Sequence, residues 1–487
     1  MYQKLLSFLF LSFISLSCTT PERINKNLNE LFQHCYQNNL FNGHVLVYRK
    51  GEIIYNTSFG NLSYDNSTPI TDATPFRLAS LSKQFTAIGI VYLKAQGLLN
   101  YEDRVVQYCP DFPYQAITIR QLLNQTSGLP KYQDLINGQY EKLEARFKEQ
   151  KIPVNNTTIE NILTTHKPDL EFEPETNFNY SNTNYLYLAQ IIEKVSGKSF
   201  QEFLKEQFFD PIEMSNSWVA DTMTIHPQKA IGYKQNRIEN TYEKNEVPPF
   251  LQTYGDGGIY SSAQDLLTWF QALDAGKIMD NKELEQAYLA PKIAGEDAPY
   301  GFGWFLRSLP FNGHKALTHS GEFAGFSNAI FRDLYANTTV IMLSNNSHKV
   351  RSEINSAVIR ILYGVPYDLP KITAETVLSD MVLSGKIKAA KEFFTTNAKN
   401  KIYDFSEKAF NKFGYNLLAA KKQKAAIEVF QWNVELNPNS SNVYDSLGEA
   451  YLANEDKENA LKYYSIAYKM DSKNKNAKQI IDQLSSQ

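Results

Sequence analysis

The stretch Phe76-Arg-Leu-Ala-Ser80-Leu-Ser-Lys83-Gln-Phe-Thr86 opens an apolar series in which Leu78, Leu81, Phe85, Ile88 and Leu93 recur near a 3.6-residue period and end before Gly97. The spacing predicts an amphipathic helix over Phe76–Leu99 with Ser80 and Lys83 at its start. Residues three apart share a helix face, with Cβ atoms about 5–6 Å apart. A serine hydroxyl is a poor nucleophile until a base takes its proton, and an amine becomes that base when burial lowers its pKa. A helix N-terminus adds positive potential where acyl transfer develops negative charge. Ser-x-x-Lys alone is weak evidence, since it recurs at Ser472 and Lys475 in a polar turn.

Elements on either side of this segment set the fold class. Gly43 to Tyr55 alternates about Lys50-Gly51 and reads as a β-hairpin. A helix is expected over Thr183–Val195, stopped by Gly197, and two strands over Phe323–Phe331 and Thr338–Leu343. Helices between an opening hairpin and closing strands indicate an α+β fold, an α/β sandwich of about 320 residues.

Specificity comes from order. Tyr180-Ser-Asn182 follows Ser80 and directly precedes a helix, and His319-Ser-Gly321 introduces the closing strands. Tyr-x-Asn recurs at Tyr36, Tyr64 and Tyr335, but His-x-Gly occurs once. Three further segments fall in register: Ile119 to Pro130, Gly257-Gly-Ile-Tyr-Ser-Ser-Ala-Gln-Asp265, and Tyr300-Gly-Phe-Gly-Trp304. Over residues 40–365 this ordered set resembles the serine β-lactamase and penicillin-binding superfamily, near class C β-lactamases, D-Ala-D-Ala carboxypeptidases, esterases and D-aminopeptidases. The resemblance implies a five-stranded antiparallel sheet flanked by helices. It also implies that Ser80 forms an acyl-enzyme, with Lys83 and Tyr180 sharing the proton and either one the base. By the same resemblance Asn182 holds a substrate amide, and the backbone N–H groups of Ser80 and Glu322 form the oxyanion hole. Gly321 lets the backbone approach closely, with Ser320 beside it.

Two departures matter. His319 stands where class C enzymes carry a lysine; a histidine is mostly neutral at pH 7 and offers one hydrogen bond to a substrate carboxylate instead of a permanent cation. That shifts the expectation towards amides, esters and cell-wall-type D-amino-acid peptides, with weak lactam hydrolysis at most. Gln125 replaces a common histidine, and a structural role is expected there. A different hydrolase architecture is tested by Gly325-Phe-Ser327-Asn-Ala329, where Ala329 breaks the nucleophile-elbow pattern. The non-enzymatic alternative is a penicillin-binding sensor with slow or no turnover.

The remaining sequence bounds the setting. With 49 basic and 52 acidic residues the net charge is -3, so no basic excess exists for nucleic acid. No HExxH, phosphate-binding or dinucleotide loop occurs, so no metal or other cofactor is implied. Residues 1–17 have a signal-peptide layout: Lys4, an uncharged run from Leu5 to Leu16, then small residues before Cys18. They resemble a lipoprotein signal, which would place the lipid on Cys18 and the chain on the outer side of a bacterial membrane, in the periplasm or at the surface. Ordinary cleavage after Ser17 would instead leave a soluble envelope protein. Residues 18–39 read as anchor and linker, 366–405 as a helical linker, and Cys35 and Cys109 as the only cysteines left to pair.

An internal repeat of period 34 closes the chain. Gly414, Ala426, Ile427 and Phe430 recur as Gly448, Ala460, Leu461 and Tyr464. Residues 406–487 thereby resemble tetratricopeptide repeats, a module for a protein partner. A single unit cannot bury its own face, so helices from Ala374 to Phe394 are expected to complete the stack or dock it.

Overall fold

The computed structural model describes residues 20–486 other than 66, 222–225, 237–240, 294, 295, 298, 348 and 349. The signal-peptide and Cys18 readings therefore lie outside the described residues. Among the described residues no helix is long and apolar enough to cross a membrane.

The opening hairpin forms as expected, from β1 (Gly43–Arg49) and β2 (Glu52–Phe59), with Lys50 and Gly51 both at positive φ in the two-residue turn. Four later strands extend it: β3 (Phe305–Ser308), β4 (Lys315–Phe323), β5 (Phe326–Asp333) and β6 (Thr338–Ser344). They make one antiparallel sheet in the order β3-β4-β5-β6-β1-β2, so the first hairpin pairs with the last strand. This is six strands rather than the five implied by the resemblance, the extra one being the short edge strand β3. The expected strand Phe323–Phe331 straddles a hairpin turn: Phe323 ends β4 and pairs with Phe326, while Ala324 and Gly325 turn at positive φ. The turn sits between Phe323 and Phe326, which the sequence reading joined into one strand.

Alternation along the strands builds two cores. Leu46, Ile330, Ile341 and Leu343 face one side; Val45, Val47, Ala329, Phe331, Val340 and Met342 face the other. The first side is covered by α2 (Lys83–Ala95), α3 (Asn182–Ser196) and α4 (Ala263–Asp274). The second is covered by α1 (Pro21–Gln37) and α5 (Arg351–Leu362). The expected linker at residues 18–39 is thus corrected: from Pro21 it is a helix capped by Thr20, burying Ile24, Leu28, Leu31, Phe32 and Cys35. Its polar residues occupy only the outer face, which made the segment read as a tail. Cys35 and Cys109 are buried free thiols in different cores, so they do not pair.

Helix α3 ends at Gly197 in the left-handed conformation, as the sequence indicates. The expected helix Phe76–Leu99 is corrected at both its start and its character. Phe76–Arg77 is a short strand paired with Tyr260–Ser261, Ala79–Ser82 is a 3₁₀ turn, and only from Lys83 does the α-helix run. Residues 83–91 and 93 are all buried, so α2 is a core helix and not an amphipathic one.

Beyond residue 370 the chain forms helical hairpins: α6 (Ala374–Leu383) with α7 (Ile387–Asn397), α8 (Glu407–Ala419) with α9 (Gln423–Leu436), and α10 (Ser441–Ala453) with α11 (Lys457–Met470), closed by α12 (Lys475–Ser485). The helices expected as a linker share the core of the first repeat, with Leu378, Val382 and Phe394 packed among Phe410, Phe430 and Trp432. The 34-residue period has a packing cause. A Cβ on Gly414 would stand 2.4 Å from the Phe430 ring, and one on Gly448 3.0 Å from the Tyr464 ring. In the α8–α9 and α10–α11 hairpins an aromatic ring of the second helix lies on the backbone of the first.

Candidate active site

The 3₁₀ turn that carries Ser80 is clamped on two sides. Beyond Thr318 the β3-facing edge of β4 has no strand beside it, and the turn packs against this strand instead. Gly321 makes that possible: a Cβ there would lie 2.0 Å from the Leu78 carbonyl oxygen and 3.3 Å from the Ala79 Cβ. On the other side Gly257 faces Ala79, with any Cβ 3.8 Å from its backbone. Held between them, Ala79 adopts φ +51°, a conformation that costs an L-residue about 1–2 kcal/mol, and Ser80 is presented at the N-terminal end of α2.

The segment 255–259 is stitched to the same helix. Thr86 Oγ1 donates to Gly255 O at 2.7 Å, Lys83 Nζ to Asp256 O at 2.7 Å, and Ile259 N–H to Ser82 Oγ at 3.2 Å. Lys83 is fully buried and makes two further bonds, to Asn182 Oδ1 at 2.7 Å and to Ser80 Oγ at 3.3 Å. Burial lowers its pKa to about 8, against the opposing field of Asp256.

Tyr180 closes the group from above the lysine, its ring centroid 5.0 Å from Lys83 Nζ. Its hydroxyl is buried and turned towards Ser80, without a hydrogen bond of normal geometry. Burial raises the phenol's pKa and the Ser80 contact only partly offsets this, so the group is a neutral phenol at pH 7. Asn182 is the first residue of α3, preceded by the extended Ser181. Because its Oδ1 is taken by Lys83, its amide NH₂ is the end left for a ligand. Gln125 has the structural role expected of it: its Oε1 accepts from Ser181 N–H at 2.9 Å and from Asn184 Nδ2 at 2.6 Å, which fixes the start of α3.

His319 differs from expectation. Its Nδ1 lies 2.8 Å from the Ser320 carbonyl oxygen, which can only accept, so the ring proton sits on Nδ1. Nε2 then accepts from the Tyr300 hydroxyl at 3.0 Å. No donor remains for a substrate carboxylate. The imidazole is buried against the rings of Tyr180, Tyr300 and Phe305, and burial reinforced by the Lys83 charge pulls its pKa down to about 3. The expected carboxylate contact is therefore replaced by a positioning contact beneath Tyr180.

Glu322 continues β4 into a narrow cleft of about 70 Å³ that also exposes Ser80, Asn182 and Asp256. Its carboxylate pairs with Arg351 at 2.8 Å, leaving its backbone as the part next to the Ser80 turn. The sequence reading missed Asp256 and Tyr300. Tyr300 opens a quoted segment and Asp256 directly precedes another, but neither residue type at its position signals that one holds the lysine through its carbonyl and the other holds the histidine.

The profile of the family described as Beta-lactamase matches residues 28–363. The chain belongs to the beta-lactamase family. Its Ser80, Lys83, Tyr180 and His319 all fall within the matched span, and the C-terminal hairpins follow it. This beta-lactamase family chain is 36% identical over 364 residues to penicillin-binding protein 4* of Bacillus subtilis, covering 72% of this chain and 78% of that one. A solved octameric penicillin-binding protein homologue from Pyrococcus abyssi superposes with TM-score 0.59 at 25% identity, over 73% of this chain and 81% of that one. A D-stereospecific amidohydrolase from Streptomyces superposes with TM-score 0.56 at 20% identity, over 70% and 98% of the two chains, a likeness of fold. Relatives of this kind are serine acyltransferases and hydrolases.

Proposed function

We propose that the chain is a serine hydrolase that transfers an acyl group to Ser80 and then to water, with Lys83 as the base. The observation that carries this is the bonding of Lys83 Nζ. A neutral amine has two N–H groups and one lone pair. Two neighbours, Asn182 Oδ1 and Asp256 O, can only accept, so they take both N–H groups and the lone pair is left facing Ser80 Oγ. With a pKa of about 8, about one lysine in ten is in that form at pH 7. Tyr180, a neutral phenol beside Lys83, would pass the proton on to the leaving group. The oxyanion would rest on the backbone N–H groups of Ser80 and Glu322, a role supported by the close approach of Gly321 to the Leu78–Ala79 backbone.

Substrates are amide, ester or lactam carbonyls, with cell-wall-type D-amino-acid peptides and small esters foremost; the relative named a penicillin-binding protein supports an envelope setting. Lipid attachment at Cys18 would hold the domain at a membrane surface, and the C-terminal hairpins, read as tetratricopeptide-like, would take a protein partner. Turnover of a panel of nitrophenyl esters, a chromogenic cephalosporin and D-Ala-D-Ala peptides by wild type and Ser80→Ala tests the assignment. Turnover of at least one class that Ser80→Ala abolishes is expected. Equal turnover by the variant would overturn it, and stable acylation of Ser80 without turnover would favour a penicillin-binding sensor.

A further inference from the structure

Three residues before the nucleophile, Arg77 is a buried cation with no ion-paired carboxylate among the described residues. It is 9% exposed, its guanidinium lies 5.7 Å from the Tyr260 ring centroid and 5.9 Å from that of Phe323, and its Nε has no hydrogen-bond partner. Among the described residues no carboxylate forms an ion pair with it. Of the acids lining the same cleft and groove, Glu322 pairs with Arg351 and Glu246 with Lys229, while Asp256 acts on Arg77 through its field without an ion pair or hydrogen bond. A buried, unpaired guanidinium is costly unless a ligand supplies the anion, and its fork matches a carboxylate.

Its place is equally specific. Arg77 lines the Ser80 cleft and also the adjoining groove, which is floored by the stacked rings of Trp218 and Tyr260. It stands at the Phe323 end of β4, whereas His319 stands at the other side of Gly321. Resting on the serine-hydrolase reading above, we propose that Arg77 recognises a carboxylate on the acyl part of the substrate, the part that stays on Ser80 and extends past Glu322 towards Phe323. A second orphan in the cleft, the buried Gln133 Oε1, would accept an N–H from the same polar acyl chain.

The test compares two esters with one leaving group: the mono-nitrophenyl ester of adipic acid and its methyl-capped counterpart. Wild type should favour the free acid in kcat/KM by about tenfold or more, mainly through KM. In Arg77→Gln the ratio should collapse towards one, and in Arg77→Lys part of it should return. A wild-type ratio near one, or a ratio retained in Arg77→Gln, overturns the inference, and the wild-type ratio decides even if the variant fails to fold. Ser80→Ala separates the two claims. If it still hydrolyses both esters, the hydrolase reading fails; if it is silent while wild type shows no preference, only the carboxylate inference fails.

Discussion

Lys83 Nζ lies 3.3 Å from Ser80 Oγ, its longest bond, while its two 2.7 Å bonds go to oxygens that can only accept. The lysine is thus oriented by its short bonds and free to change role along the long one. As an ammonium it donates to Ser80; as an amine it accepts from it.

The pH dependence follows from that switch. The neutral form is the active one, so kcat/KM for a non-ionising ester should rise with pH and level off above about 8, the pKa of Lys83. Lys83→Met should cost about 10²- to 10⁴-fold. A profile flat from pH 6 to 9 would remove Lys83 from the base role.

Asp256 raises the pKa of that lysine through its charge while holding it through its backbone carbonyl. Asp256→Asn keeps the carbonyl and removes the charge, so the rising limb should move to lower pH. Movement to higher pH would show that the carboxylate acts differently.

His319 should stay neutral throughout the working range, since its pKa is held at about 3. Nitrogen-15 NMR of labelled protein should show one Nδ1-protonated imidazole that does not titrate between pH 5 and 8. A transition near 6.5, the ordinary value, would mean the ring is open to solvent and able to bind substrate.

Gly321→Ala puts a methyl group into the Leu78 carbonyl, which must drive β4 from the nucleophile turn. Loss of about 1–3 kcal/mol in urea unfolding is expected, with turnover falling well beyond what stability explains. Gly414→Val, far from the site, should instead loosen the α8–α9 hairpin against Phe430, seen by limited proteolysis, with serine labelling intact.

The hairpin at Lys50-Gly51, the Gly197 cap and the order of Ser80, Lys83, Tyr180 and His319 were legible in the sequence because each depends on local chemistry or spacing. What was not legible depends on burial or on distant partners. Helix α1 hid behind its polar face, and the Ala324-Gly325 turn lay between Phe323 and Phe326, which read as one strand. His319 looked like a donor until Tyr300 and the Ser320 carbonyl were seen to occupy both ring nitrogens. Arg77 was part of the quoted stretch, yet only its burial without an ion-paired carboxylate among the described residues gives it meaning.

The central claim is that Ser80 is the nucleophile, and intact-protein mass over time with a fluorophosphonate and with a penicillin tests it most directly. Wild type should gain one fluorophosphonate adduct, with any penicilloyl adduct also on Ser80, and Ser80→Ala should gain neither. Labelling that survives in Ser80→Ala would contradict the account.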